Sequence, residues 1–448
     1  MRKEKQMFRK FAVVLVVVSF VFASSFCMAG DDSELILKVL VKKGIITQAE
    51  VDEMRAEIAK EKPAAKAEAK AGAPKTMEDR IEAVEKDLAS KVGLDKAASK
   101  LKIKGRWAAG YYDSEKAGSY PNGSFQAPEA KIQFTFKPDD INDIIMRLSL
   151  NNAAFNSVDY FYLDTNLMKL TPWEKTAPFT LASRIGRFKI DFGEETFSNN
   201  PVESALPSNS AANVSGNDEG IMLFGKIGKV RPLSWSVGVF NGNTGTGADN
   251  NWVKSFNGKV AYNIIDPLYV SASYYTSGNL DQQASEMSIA GLTTVPSSAL
   301  QWTRQIAEVD VRYDFKKGKI QNPPAYCDSL AYIKGAYGYF IDNANPFRAL
   351  NTVHIRDGNY GYVEGLLNVT KKLYAAGRAS TIDLSGDEKT ASLNSLTVNA
   401  YDRYSLGLGY RLSGATILKG EYSINIKRKG GIDDPKDDLM SFIVASQF

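Results

Sequence analysis

From residue 101 to the end, apolar and polar side chains alternate one for one. Ile103, Trp107 and Tyr111 interleave with Lys102, Lys104 and Arg106, and Ile132, Phe134 and Phe136 with Lys131, Gln133 and Thr135. Val309, Val311, Tyr313 and Phe315 alternate with Glu308, Asp310, Arg312 and Asp314; Tyr404, Leu406, Leu408 and Tyr410 alternate with Arg403, Ser405, Gly407 and Arg411. Period two sends successive side chains to opposite faces of a strand, so every such strand must cover one apolar face. A soluble sandwich covers it with a second sheet and rarely places so many aromatics at strand ends. Segments of about nine to eleven residues with aromatics near both ends fit a barrel whose apolar face meets lipid. Past residue 29 no apolar run reaches the roughly 20 residues that a membrane helix needs, so any spanning uses strands. The expected fold is an all-β transmembrane antiparallel β-barrel.

The expected strands cover 101–112, 128–137, 142–151, 157–168, 178–190, 219–227, 232–241, 256–264, 267–276, 303–316, 327–341, 358–369, 371–382, 401–412, 414–428 and 438–448. Tight turns fall at Pro138-Asp139, Lys229 to Pro232, Ile265-Asp266, Thr370 and Ser413-Gly414. Long polar segments fall at 191–218, 242–255, 277–302, 342–357, 383–400 and 429–437. Long and short connections alternate through most of the chain, as short periplasmic turns and longer external loops do in an even-stranded barrel. That pattern gives about sixteen strands with both barrel ends on the periplasmic side. The last strand carries Met440, Phe442, Val444 and Phe448 on one face, and its closing Phe is similar to the insertion signal of outer-membrane barrels. Ser446 departs from the aromatic often found two residues earlier.

Residues 1–29 read as a cleaved signal peptide, with a basic start, the apolar run Phe11 to Phe26, and small residues before Gly30. Residues 30–61 read as a periplasmic helix-turn-helix in which Gly44 breaks the first helix and Thr47 with Glu50 caps the second. Residues 62–100 read as an Ala/Lys linker followed by a short amphipathic or coiled-coil helix bearing Met77, Ile81, Val84 and Leu88. This front end offers a trimerisation element or a cell-wall or periplasmic contact. Five of the 55 Lys/Arg and one of the 51 Asp/Glu lie in the first ten residues, so the remainder balances at 50 each. The basic bulk charge therefore argues for no nucleic-acid partner. Two cysteines, Cys27 and Cys327, exclude a disulfide scaffold.

Residues 185–195 read IGRFKIDFGEE, followed by DEGIMLFGKIG at 218–228 and LSWSVGVFNG at 233–242. This resembles the phosphate-selective porin O and P family, whose Gly-x-Phe-Lys-x-Pro-Phe-Gly segment precedes a long loop. Gly186, Phe188, Lys189, Phe192, Gly193, Phe240, Asn241 and Gly242 match, while Asp191 stands where that family usually has Pro. LKIKGRWAAGYY at 101–112 and VKKGIITQAE at 41–50 are similar to its first strand and leader region. The resemblance implies a sixteen-stranded homotrimeric diffusion pore in the bacterial outer membrane, with small anionic or hydrophilic solutes as cargo. It does not carry over phosphate specificity.

In sixteen-stranded porins the third long loop folds into the barrel. With 191–218 as that loop, the constriction candidates are Glu194, Glu195, Glu203, Asp218 and Glu219; the alternative is a loop capping the mouth from outside. The alternation turns Lys102, Lys104, Arg106, Lys131, Arg147, Arg187, Lys189, Lys259, Arg312, Lys334, Arg403, Arg411, Lys419 and Lys427 inward, against fewer acids: Glu129, Asp191, Glu308, Asp310, Asp314 and Glu421. A basic wall favours anions and an acidic loop opposes them; the balance expected is a weak anion preference. For any single wall charge, an ion pair inside the lumen is the commoner fate.

Enzyme, cofactor and metal chemistry find no support. Gly220 to Lys226 spells G-x-x-x-x-G-K, but Ile227 replaces the required Ser/Thr and the run sits in a strand. His354, the only histidine, excludes a two-His metal site, and its neighbour Asp357 makes a weak hydrolase lead. Asp433-Asp434 and Asp437-Asp438 read as a solvated acidic loop before a Ca²⁺ or lipopolysaccharide site. Two competing roles keep the barrel but change its purpose. One is an insulating sheath around haem proteins, which needs an unobstructed lumen. The other is a structural tether working through residues 30–100.

Overall fold

A computed structural model describes residues 100–151, 154–242, 252–281, 285–289, 292, 301–315, 329–344, 355–386, 391–393, 396–398, 400–428 and 436–448. The leader, the helix-turn-helix of 30–61, the amphipathic helix before residue 100, Cys327, His354 and Asp433-Asp434 lie outside them.

Sixteen long strands follow one another: β1 (Leu101–Ser114), β2 (Ser124–Phe136), β3 (Asn142–Asn151), β4 (Ala154–Asn166), β5 (Phe179–Lys189), β6 (Asn217–Ile227), β7 (Leu233–Phe240), β8 (Ser255–Ile265), β9 (Leu268–Thr276), β10 (Gln301–Phe315), β11 (Ala331–Ala344), β12 (Ile355–Asn368), β13 (Leu373–Gly386), β14 (Ala400–Arg411), β15 (Thr416–Arg428) and β16 (Leu439–Gln447). Each pairs antiparallel with the next. β16 returns to β1, from Arg106 opposite Gln447 to Ser114 opposite Leu439. The sheet thus closes and leaves no unpaired edge, the condition for strands in lipid. Phe448 completes the seam: its N–H donates to Gly105 at 2.9 Å and its carbonyl accepts from Gly105 N–H at 3.0 Å. Its ring lies on that glycine, where a Cβ would stand 2.2 Å from Phe448 Cζ.

The expected strands are all present, and three connections depart from the alternation of lengths, one of them the fifteen residues 316–330 between β10 and β11 at the tight-turn end. β3 and β4 are separated by residues 152–153 alone, at the end that otherwise carries long loops. Residues 167–178, at the tight-turn end, include a 3₁₀ turn (Leu167–Leu170) capped by Asn166, whose side chain accepts from Met168 N–H at 3.2 Å. The β2–β3 turn is built as foreseen at Pro138-Asp139. Asp139 Oδ1 accepts from Ile141 N–H at 2.9 Å and Asn142 N–H at 2.7 Å. The Asn142 side chain, together with these amides, holds the Asp139 carboxyl below the usual range.

One face of every strand points outward, and across the sheet that face is mostly apolar. Ile103, Phe125, Val363 and Leu406 remain 50%, 72%, 59% and 75% exposed, and Val309, Val311, Tyr313, Tyr410 and Ile424 belong to the same girdle. So continuous an apolar surface is covered by lipid rather than water. A charge there meets hydrocarbon: Leu406→Arg, mid-strand in β14, is expected to destabilise the barrel by about 2–4 kcal/mol, read from the urea midpoint of protein refolded into liposomes.

The interior is filled unevenly. Inward residues of β8 to β15 are buried: Lys259 on β8, Tyr269, Ser271, Ser273 and Tyr275 on β9, Arg304 to Asp314 on β10, Tyr374, Arg378 and Ser380 on β13, and Lys419 to Lys427 on β15. On β2 and β3 the inward Lys131, Gln133, Thr135 and Arg147 stay half-exposed, although Ile145 and Ser149 on the same face of β3 are buried. The material that fills one side is the segment between β5 and β6.

Candidate functional site: the pore constriction

Residues 190–216 leave β5, cross the lumen and return to β6. Local chemistry sends them inward. Phe188, Ile190 and Phe192 are fully buried with Phe240, Tyr275, Ile306 and Phe340 in one interior cluster. Gly193 turns the chain at φ +61°, a backbone state that favours glycine. A Cβ on Gly193 would stand 2.3 Å from Glu308 Oε1. Further on, Val202, Ala205 and Leu206 enter a second cluster with Tyr332, Leu366, Tyr374, Ile417 and Ile443. Burying an apolar side chain contributes about 1.5–3 kcal/mol, so these anchors hold the segment against the inner wall.

Polar contacts then bind the segment to successive strands. Asp191 accepts from Ser236 Oγ at 2.8 Å, and Gly193 N–H donates to Ser273 Oγ at 3.1 Å. Tyr374 Oη donates to the Ala205 carbonyl at 2.8 Å, and Ala211 N–H donates to Ser380 Oγ at 2.9 Å. Ser208 N–H donates to Glu421 at 2.7 Å, while Asn200 Nδ2 reaches Gln447 on β16 at 2.8 Å. A short ribbon, Val214–Ser215 with Ser288–Ile289 from the β9–β10 connection, secures the return. The segment therefore lies inside the barrel against β8 to β16 and does not cap it from outside.

Its acids face the wall. Lys259 Nζ, itself 9% exposed, lies 2.9 Å from Glu194 and 3.2 Å from Asp191, and donates to the Gly193 carbonyl at 2.7 Å. Tyr269 Oη donates to Glu194 as well. Glu195 is buried; it accepts from Ser210 N–H at 2.8 Å and stands 3.6 Å from Arg378. Glu203 is half-buried. Asp218 and Glu219 correct the expectation. Both belong to β6, not to the loop, because pairing of β5 with β6 already begins at Lys189 opposite Asn217. Asp218 is fully buried and accepts from Gly242 N–H at 2.7 Å, whereas Glu219 pairs across strands with Arg187 at 3.0 Å. Arg187 stands opposite Phe161, and Glu219 is two residues from Ile221; both Phe161 and Ile221 are exposed outer-face residues. The Arg187–Glu219 pair therefore sits on the outer face and does not line the lumen.

The wall bases divide into two groups. Arg312 pairs with Asp314 at 2.8 Å and Lys334 with Glu364 at 3.2 Å. Lys419 holds the Ser204 carbonyl, and Lys427 pairs with Asp437 at 2.5 Å. Arg403 donates to Asn425 at 2.8 Å and to the Asn209 carbonyl at 2.9 Å; Arg411 donates to Asn368 at 3.0 Å. Arg312, Lys334, Lys419 and Lys427 are buried and hold the loop or the wall together, so the expectation that these four face the water path is corrected, whereas Arg403 and Arg411 stay half-exposed. The Asp437-Asp438 pair is likewise used in strand contacts, with Asp438 accepting from Asn425 N–H at 3.0 Å.

The second group faces the half that the segment leaves open. Arg106 pairs with Glu129 at 2.5 Å, and Lys131 and Arg147 share Asp159 at 2.9 and 3.0 Å. All five side chains keep between 11% and 24% of their surface exposed. Arg147 lies flat over the Tyr160 ring at 3.6 Å. Lys189, at the end of β5, donates to the Thr196 carbonyl at 2.7 Å, on the inserted segment. Three cations thus share two carboxylates on this wall. Lys102 and Lys104 continue the same face of β1 and are exposed, opposite Thr135 and Gln133.

Sequence reading missed Arg378, which is fully enclosed and contacts Glu195, Glu364 and Ser208. It also missed the Arg304–Asp342 pair, 2.7 Å apart and 1% and 0% exposed. Removing one partner of a pair this deeply buried strands the other charge. Asp342→Ala is expected to cost about 3–5 kcal/mol, seen as a lower urea midpoint with the folded barrel still recovered in buffer.

No family model matches the chain, and no curated protein matches it. Solved structures do. The outer membrane channel DcaP of Acinetobacter baumannii is 11% identical with a TM-score of 0.53, over 78% of this chain and 97% of its own. The anion-selective porin from Comamonas acidovorans is 12% identical with a TM-score of 0.50, over 78% of this chain and 99% of its own. At these identities the likeness is one of fold: this chain is a closed sixteen-stranded antiparallel barrel of the kind found in outer-membrane porins.

Proposed function

We propose that the chain forms a passive diffusion channel in the bacterial outer membrane, working as a homotrimer and passing small anions in preference to cations. The observation that carries this reading is the division of charge across the lumen. The acids Glu194 and Glu195 of the inserted segment are turned into ion pairs with Lys259 and Arg378, while Arg106, Lys131 and Arg147 remain on the half-exposed wall opposite. A permeating ion thus meets the wall's excess of positive charge without the loop's negative charge. The porin-type fold and the lipid-compatible outer face support the membrane assignment, and the anion selectivity of the Comamonas porin fits the same direction. The sheath reading is disfavoured, because residues 190–216 occupy the lumen that a haem protein would fill. The test is ion substitution in planar bilayers. Exchanging chloride for gluconate should lower conductance more than exchanging potassium for a cation of similar bulk; the reverse order would refute the proposal.

A further inference from the structure

The inserted segment carries one apolar group that its packing does not use. Phe192, on the same segment, is fully buried, but Phe197 remains 43% exposed among Thr196, Ser198, Asn199 and Asn200. Its ring lies 5.4 Å from Lys189 Nζ and 5.0 Å from Lys259 Nζ. Lys189 is fixed beside that ring, its ammonium donating to the Thr196 carbonyl at 2.7 Å and to Thr196 Oγ1 at 3.0 Å, and it makes no ion pair among the described residues.

We infer that the constriction is built for anions with an aromatic or similarly flat apolar body, aryl carboxylates being the simplest. The inference rests on the anion-channel reading above and names the class of solute within it. A carboxylate takes the Lys189 ammonium, 5.4 Å from the ring and without an acidic partner among the described residues, while the attached ring covers the exposed part of Phe197. A small inorganic anion uses only the first half of this arrangement. A neutral aromatic uses only the second. The ring contact also removes water from apolar surface that is otherwise wetted inside the pore.

The experiment is block of chloride current through single channels of the full-length protein by benzoate, acetate and benzyl alcohol. Benzoate is expected to block at a concentration about fivefold lower than acetate, ~1 kcal/mol, and benzyl alcohol is expected not to block. In Phe197→Ala the benzoate advantage should vanish, and in Phe197→Leu it should persist in part; heat-modifiable migration on gels verifies that each variant is a folded barrel. Equal block by benzoate and acetate in the wild type, or an unchanged benzoate advantage in Phe197→Ala, overturns the inference. Chloride over potassium preference, measured in the same membranes, fails separately if the underlying channel reading is wrong.

Discussion

Replacing Arg106, Lys131 and Arg147 together by glutamate is expected to turn the channel from anion-preferring to cation-preferring. These residues lie on adjacent strands, with Arg106 opposite Lys131 and Arg147 opposite Gln133. Their side chains remain partly hydrated, so they act on a passing ion through water and not through a dry interior. A unit charge 4 Å away is then worth about 1 kcal/mol in water, and reversal doubles that for each site. Neighbouring Glu129 and Asp159, now without partners, add to the negative field. Even after screening over a Debye length of about 8 Å at physiological salt, the chloride-to-potassium permeability ratio should fall by at least about tenfold. Strand pairing does not depend on these side chains, so the variant should still fold; bilayer permeability ratios check the outcome. The same triple change made at Arg312, Lys334 and Lys419 should behave differently. Those groups are buried beneath the segment, and their reversal should cost stability while leaving no folded channel of altered selectivity.

The second large effect concerns the segment itself. Val202 and Leu206, each 1% exposed, are its apolar anchors in the pocket formed by Tyr332, Leu366, Tyr374, Ile417 and Ile443. Val202→Asp with Leu206→Asp loses about 1.5–3 kcal/mol of burial at each position and forces two unpaired carboxylates out of that pocket. The segment should leave the wall while remaining tethered at β5 and β6. Single-channel conductance is expected to rise to roughly double or more as the covered half of the lumen opens. Selectivity should weaken at the same time, because Glu194 and Glu195 are released from Lys259 and Arg378. A folded variant with unchanged conductance would mean that the segment does not limit the pore.

How much of this was legible in the sequence follows from which contacts are local. The outer girdle repeats with period two and is marked by aromatics, so all sixteen strands, the closing role of the last one and the common end for both termini could be read directly. Where the outer marker is weak, the reading slips. Around residues 152–177 the connection lengths depart from the alternation, and Asp159, the acid that holds Lys131 and Arg147, escaped notice. Arg378 escaped for a related reason: its strand neighbours Ala375, Gly377 and Ala379 give the outer face no large side chain by which to set the register. The inward fold of 190–216 was foreseen, but the orientation of its acids was not. Period two tells whether a residue faces the lumen. It does not tell whether a segment from elsewhere in the chain covers that residue, which depends on pairings as distant as Glu195 with Arg378 or Asn200 with Gln447. Arg187 and Glu219 show the opposite limit. They look like lumen charges in a polar stretch, yet their register partners place them on the outer face.

The central claim is that the water path runs along a net basic wall with the loop's acids withdrawn from it. The zero-current potential of the wild-type channel in a potassium chloride gradient tests this most directly. The expected sign is that of chloride moving faster than potassium, and it should reverse in the Arg106/Lys131/Arg147 triple glutamate variant. A potential of the cation-selective sign in the wild type would contradict the claim.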